Sequence, residues 1–184
     1  PWDKLKNEVK ITGINLVGSA RPIEKNAFTS LKSTNAKWLS VIPYAFIRPE
    51  QGVVSFGNNQ HWWGEGVTGS AKTIEMAQEL GYKVMLKPHV WVAGQGWAGD
   101  FELYTAEDWK IWEDSYAEYI LTFARQADSM NVSLFCIGTE FRKAAVKRPM
   151  YWRGLIKKVR EIYNGQLTYA ANWDNYQNIT FWDE

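Results

Sequence analysis

One cysteine, two histidines and six prolines among 184 residues leave little room for several kinds of chemistry. With Cys136 alone, no intrachain disulfide can form, and its place inside the apolar run LFCIG marks it as a buried thiol. A catalytic pair of Cys136 with His89 requires that the thiol be accessible. His61 and His89, even with Glu65 nearby, lack the His-x-x-x-His type of ligand spacing, so neither a metal nor another cofactor is expected. A net charge of +1 provides no concentrated basic field, which excludes a nucleic-acid partner. The run Arg142, Lys143, Lys147, Arg148 is expected to be a solvated loop rather than a phosphate site. No stretch approaches the roughly 18 apolar residues of a membrane span. The first ten residues, PWDKLKNEVK, carry no signal-peptide pattern, which leaves the location undetermined and a secreted or periplasmic one compatible.

Aromatics, by contrast, are abundant. Eleven Trp and nine Tyr in a chain that is 46% hydrophobic suit a single domain over 1–184 with a large core, and some of these flat side chains suit stacking on a ligand. Apolar runs alternate with helical patterns from end to end. Strands are expected over 11–17, 37–47 with an interruption at Pro43, 82–87 ended by Pro88, 133–138 and 167–171. Helices are expected over 24–34, 70–80, 106–130 and 150–163. In the longest of these, Thr105 is the N-cap candidate, and Trp109, Trp112, Tyr116, Tyr119, Ile120, Phe123 and Ala127 keep the spacing of a core-facing side.

Such alternation defines an α/β chain with a parallel sheet, either doubly wound or a (β/α) barrel. The G-x-G-x-x-G fingerprint of a dinucleotide-binding sheet is missing after the first strand, which is followed by VGSARPIE. The long segments 48–69 and 88–104, rich in Trp, Gly and His, follow the C-terminal ends of strands, where barrel proteins build their sites. Tyr44 and Arg48 arrive there from the second strand, and Lys87, His89 and Trp91 from the third. The fourth delivers Glu140, and the fifth Asn172, Trp173 and Asp174. A lone glutamate after a strand is often no more than a helix N-terminal carboxylate, but convergence with the other strand ends makes Glu140 the candidate catalytic group.

The segments KVMLKPHVWV, LFCIGTEF and YAANW, in this order and spacing, resemble the β-mannanase-type glycoside hydrolases of family 113. That family lies in the large clan of (β/α)8 retaining glycosidases, and the resemblance extends over almost the whole chain. It implies that Glu140, after the fourth strand, is the acid/base and that a nucleophile glutamate follows a seventh strand. Most of the clan has Asn before the acid/base, whereas Thr139 stands here, which changes what can bond a sugar 2-hydroxyl. Only about the first five β/α units are readable, and the ending YQNITFWDE reads as a cut before a sixth strand. Glu184 has no counterpart in the family and is not taken as the nucleophile.

Retaining hydrolysis needs two carboxyl groups about 5–5.5 Å apart, one protonated and one ionised. Glu140 would be held neutral by partial burial and by a second carboxylate. Trp62, Trp63, Trp91, Trp97 and Trp173 would stack on pyranose faces of an oligo- or polysaccharide, with Tyr44 lining the cleft and His61, His89, Lys87 and Asn172 bonding hydroxyls. The competing expectation is a noncatalytic carbohydrate-binding protein that keeps the aromatic cleft. Unpaired strand edges would also favour self-association.

Overall fold

The computed structural model describes residues 11–57 and 61–183; Glu184 and the first ten residues lie outside them. β1 (Gly13–Val17), β2 (Trp38–Ile42), β5 (Lys83–Leu86), β7 (Leu134–Thr139) and β8 (Gln166–Ala170) form one sheet in that order. Every neighbouring pair is parallel. The connections are helical: α1 (Val67–Glu79), α2 (Ala106–Ser129), the short α3 (Arg142–Lys147) and α4 (Pro149–Arg160). All seven periodic positions expected on the core side of α2 are buried, and Thr105 caps it by accepting the Asp108 N–H.

Three expectations are corrected. Residues 24–34 do not make an α-helix; Lys25–Thr34 winds as a 3-10 helix that ends at Asn35 in the left-handed region (φ 55°). Only Phe28 of that segment is buried and no side chain caps its start, so the Thr- and Ser-rich sequence has neither propensity nor packing to hold the wider helix. The segment 88–104 is not all loop: β5 stops at Leu86, just before Pro88, as expected, but a further strand begins beyond it. The chain resumes as β6 (His89–Val92), which pairs in parallel with β3 (Tyr44–Ile47), the continuation of the second strand past Pro43. Together with β4 (Val54–Ser55), antiparallel to β3, these make a second, three-stranded sheet. Each proline lacks an N–H, yet Lys87 N donates to Val41 O at 2.9 Å and His89 N to Pro43 O at 2.9 Å, which carries pairing past both breaks. Lastly, the basic run is no loop: Arg142, Lys143 and Lys147 lie on α3 and Arg148 links it to α4.

An aromatic core sits between the sheet and α2 and α4. Trp112, Tyr116, Phe141 and Trp152 are all buried and in mutual ring contact, with Trp112 stacked on Tyr116 at 5.1 Å. Two hydroxyls of α2 satisfy strand carbonyls. Tyr116 Oη donates to Ile137 O at 3.0 Å, and Tyr119 Oη lies 3.0 Å from Pro43 O and 3.1 Å from His89 O, at the point where the two sheets part. Buried carbonyls left without such donors would each destabilise the fold by about 1–3 kcal/mol.

β7 is irregular near its end, where its register against β8 shifts between Cys136 and Thr139. Gly138 occupies the shift because nothing larger fits: a Cβ there would meet the Trp152 ring at 2.8 Å and the Tyr169 ring at 2.9 Å. Trp152 is fully buried and cannot swing away. Gly138→Ala is therefore expected to destabilise the protein by about 1–3 kcal/mol, the usual cost of overpacking. A denaturation midpoint unchanged from the wild type would contradict this packing.

Candidate active site

The position of Glu140 follows from its neighbours. Phe141 is 1% exposed, driven into the ring cluster of α2 and α4, and its N–H is accepted by Tyr169 Oη at 3.0 Å. Glu140 N donates to Ala170 O, the last carbonyl of β8, at 2.8 Å. Between these two anchors the backbone turns through φ +57° at Glu140, a conformation costly to a residue with a Cβ. The side chain thereby leaves the sheet at the C-terminal end of β7 and remains half-buried.

There the carboxylate meets Trp97, whose indole Nε1–H donates to Glu140 Oε2 at 2.8 Å. An indole N–H only donates and is best accepted by an unprotonated oxygen, so the contact favours a proton on Oε1 over one on Oε2. Burial raises the Tyr44 phenol above its usual pKa, and the Glu65 and Glu140 carboxylates add to the effect. Burial lowers the His89 imidazole below 6.5; Glu140 opposes the shift and Lys87 adds to it. His89 Nδ1 is buried and finds no hydrogen-bond partner among the described residues.

The second sheet organises several candidates on one face. In its register Tyr44 pairs with His89 and Phe46 with Trp91, while Ala45, Ile47, Val90 and Val92 point the other way into the core. Tyr44 and His89 rings lie 5.1 Å apart, and His61 joins the same face through Phe46, ring centroids 5.0 Å apart. Trp91 is half-exposed and packs over Gly96. Lys87 is half-buried beside the His89 strand.

The remaining expected residues are placed less tightly. Trp62 is exposed, and its backbone N–H donates to Glu65 Oε2 at 2.9 Å at the start of a short 3-10 turn. Trp63, in that turn, is partly buried, its carbonyl pressed so close on Gly69 that a Cβ there would lie 1.9 Å away. Asn172 is partly buried, Trp173 is 88% exposed, and Arg48 is exposed. Thr139 is buried and its hydroxyl donates to Pro88 O at 3.2 Å, so it serves the fold rather than facing a cleft. Cys136 is buried, its Sγ donates to Gly138 O at 3.1 Å, and burial pushes its thiol pKa up, which removes the Cys–His pairing.

Three participants escaped the sequence reading. Phe46 was hidden as one apolar residue of a strand. Asp100 lies in a Gly-rich segment without motif. Arg142 reads in sequence as one of a solvated basic run, yet its guanidinium lies 5.2 Å from the Trp97 ring centroid and is hydrogen-bonded to Asp100. Among the described residues no cluster of three or more His, Cys, Asp or Glu side chains is placed to hold a metal ion. No described helix is long and apolar enough to cross a membrane.

Parallel strands in chain order, helical connections and candidate residues gathered at the strands' C-terminal ends define part of a (β/α) barrel. The model of Glycoside Hydrolase Family 113 matches residues 20–184, and the chain belongs to that family. Its fold is similar to the family 113 β-mannanase AaManA from Alicyclobacillus acidocaldarius in complex with ManMIm, with TM-score 0.82 and 24% identity over 94% of this chain and 57% of that one. It is also similar to a family 113 β-1,4-mannanase solved as a complex, with TM-score 0.82 and 26% identity over 94% of this chain and 59% of that one. An endoglucanase of Pseudomonas stutzeri shares the fold more distantly, with TM-score 0.55 and 13% identity over 91% of this chain and 54% of that one. The chain thus spans less than three fifths of the length of these structures. No curated protein matches it significantly.

The His89 environment generates a pH prediction. Because its folded pKa lies below 6.5, the unfolded chain binds more protons between the folded value and 6.5. Stability contributed by neutral His89 is therefore complete above 6.5 and lost as pH falls through that window. His89→Gln is expected to flatten the fall in unfolding free energy as pH drops below 6.5. Parallel curves for wild type and variant in urea titrations would show that His89 is not held neutral.

Proposed function

We propose that this protein is a retaining glycoside hydrolase of a β-linked mannan or related polysaccharide, with Glu140 as acid/base. The observation that carries the reading is a half-buried carboxylate at the C-terminal end of β7, with one oxygen held by the Trp97 indole N–H at 2.8 Å and the other free to carry a proton. Family membership and the two mannanase likenesses supply the substrate class. In the first step a nucleophile carboxylate, assigned to no residue of this chain, bonds the anomeric carbon while Glu140 Oε1–H gives its proton to the leaving glycosidic oxygen, which keeps the electron pair of the broken C–O bond. In the second step the ionised Glu140 carboxylate takes a proton from the water that attacks the anomeric carbon, and the nucleophile carboxylate leaves with the electron pair of its bond to the sugar.

Tyr44, His61, His89 and Trp91, gathered on one face of the second sheet, are proposed to contact sugar together with Trp97. Trp62, Trp63, Lys87, Asn172 and Trp173 are proposed as further contacts around the same rim. The nucleophile is assigned to no residue of this chain. The clan places it after a seventh strand, and the principal sheet has five strands among the described residues.

Glu140→Gln in the full-length protein tests the assignment. The amide keeps shape and can still accept the Trp97 N–H, but it delivers no proton, so mannan turnover is expected to fall by about 10²-fold or more with oligosaccharide binding retained. Wild-type turnover in this variant would refute the role. Proton NMR of the first-formed product is expected to show the β-anomer, and an α-anomer would overturn the retaining mechanism.

A further inference from the structure

We propose that Arg142 is a positioning residue, clamping the loops after β6 and β8 to α3 so that Trp97 holds Glu140 in one orientation; the proposal rests on the glycosidase reading above. Arg142 is two residues past Glu140, and its N–H donates to Glu140 O at 2.9 Å. Its guanidinium covers the Trp97 ring at 5.2 Å and is bonded to Asp100, three residues further along the Trp97 loop. On its other flank the guanidinium lies 4.0 Å from Asp174, in the loop after β8, and Asn175 Nδ2 donates to Arg142 O at 3.3 Å. One side chain thus joins the ends of three strands around the acid.

The second half of the loop is held in the same way. Glu102, largely buried, is bonded to both Lys143 and Lys147 of α3. Each exposed ion pair contributes little stability by itself. Their common effect is geometric: the Trp97 segment cannot move away from α3 without breaking all of them. Trp97 has no strand of its own to hold it, being partly exposed on a turn with left-handed Gly94 and Gly96 before it (φ 76° and 77°). Arg142 suits the task because a planar guanidinium stacks on an indole and forks to a carboxylate at once, which an ammonium cannot do.

The chemical consequence concerns the two carboxyl oxygens. While Trp97 donates to Oε2, the transferable proton favours Oε1. Without the clamp the indole drifts, either oxygen takes the proton, and the fraction of productive carboxyl falls. The loss is confined to the step that needs a proton.

Arg142→Met and Arg142→Lys, made in the full-length protein, test this with two substrates: a β-manno-oligosaccharide, whose leaving alcohol must be protonated, and a 2,4-dinitrophenyl β-mannoside, whose leaving phenolate need not be. For kcat/KM, which reports the first chemical step, Arg142→Met is expected to lose about tenfold or more on the oligosaccharide and to remain within about twofold on the aryl glycoside. Lysine is not expected to restore the loss. In a Trp97→Phe background, Arg142→Met is expected to add nothing further, since both changes break one device. Equal losses on both substrates, as general misfolding would give, overturn the proposal, and so do additive losses. Glu140→Gln separates the two levels: if it shows the substrate split and Arg142→Met does not, the clamp alone falls. If Glu140→Gln hydrolyses both substrates at wild-type rates, or the wild type hydrolyses neither, the acid/base reading falls and the clamp with it.

Discussion

The burial of Phe141 is the constraint from which the site follows. Its ring completes the cluster of Trp112, Tyr116 and Trp152, and its N–H is taken by Tyr169 Oη. With Glu140 N bonded to the end of β8, a left-handed turn at Glu140 connects the two fixed points. The hydrophobic gain from a large buried aromatic side chain, about 1.5–3 kcal/mol, offsets the roughly 1–2 kcal/mol cost of that backbone state. A carboxylate is thereby aimed away from the core by the residue after it. Gly138, two positions before, is the space that lets Trp152 and Tyr169 approach.

A second device splits long strands in two. Pro43 and Pro88 remove donors at matched heights of adjacent strands, and the chain beyond them forms the small sheet of β3, β4 and β6. Tyr119 from α2 bridges Pro43 O and His89 O where the sheets part, so the break costs no unsatisfied carbonyl there. The result is a surface set back from the main sheet, with Tyr44, Phe46, His89 and Trp91 on one face and four aliphatic residues buried behind. Burial on that face shifts both ionisable rings toward their neutral forms. A face with neutral rings and the Glu65 and Glu140 carboxylates beside it suits an uncharged, hydroxyl-rich ligand better than an anion.

Electrostatics enters as fastening rather than as field. The net charge is only +1, yet the basic residues of α3 are paired with Asp100 and Glu102 on the loop before α2, and Arg148 with Glu113 of α2. These contacts tie the segment that carries Trp97 to the helix that follows Glu140. The positive charge of this cluster, close to a catalytic candidate, is met by the carboxylates of Asp100, Glu102 and Glu113.

The sequence by itself determined the alternation of strand and helix, the core face of α2 and the exit of Glu140 at the end of an apolar run, because periodicity and local apolar runs express those features within a few residues. It also carried the family resemblance in three short segments. What it did not contain was the pairing of residues far apart: Trp97 with Glu140, Arg142 with Asp100, Phe46 with His61, or the second sheet that forms after two prolines. It likewise gave no sign that residues 25–34 would wind as a 3-10 helix, since the spacing of Phe28 and Leu31 suits either helix. Local pattern is set by neighbours along the chain, whereas the site is set by which strand ends meet, and that is decided only when the aromatic core closes and fixes every loop relative to the others.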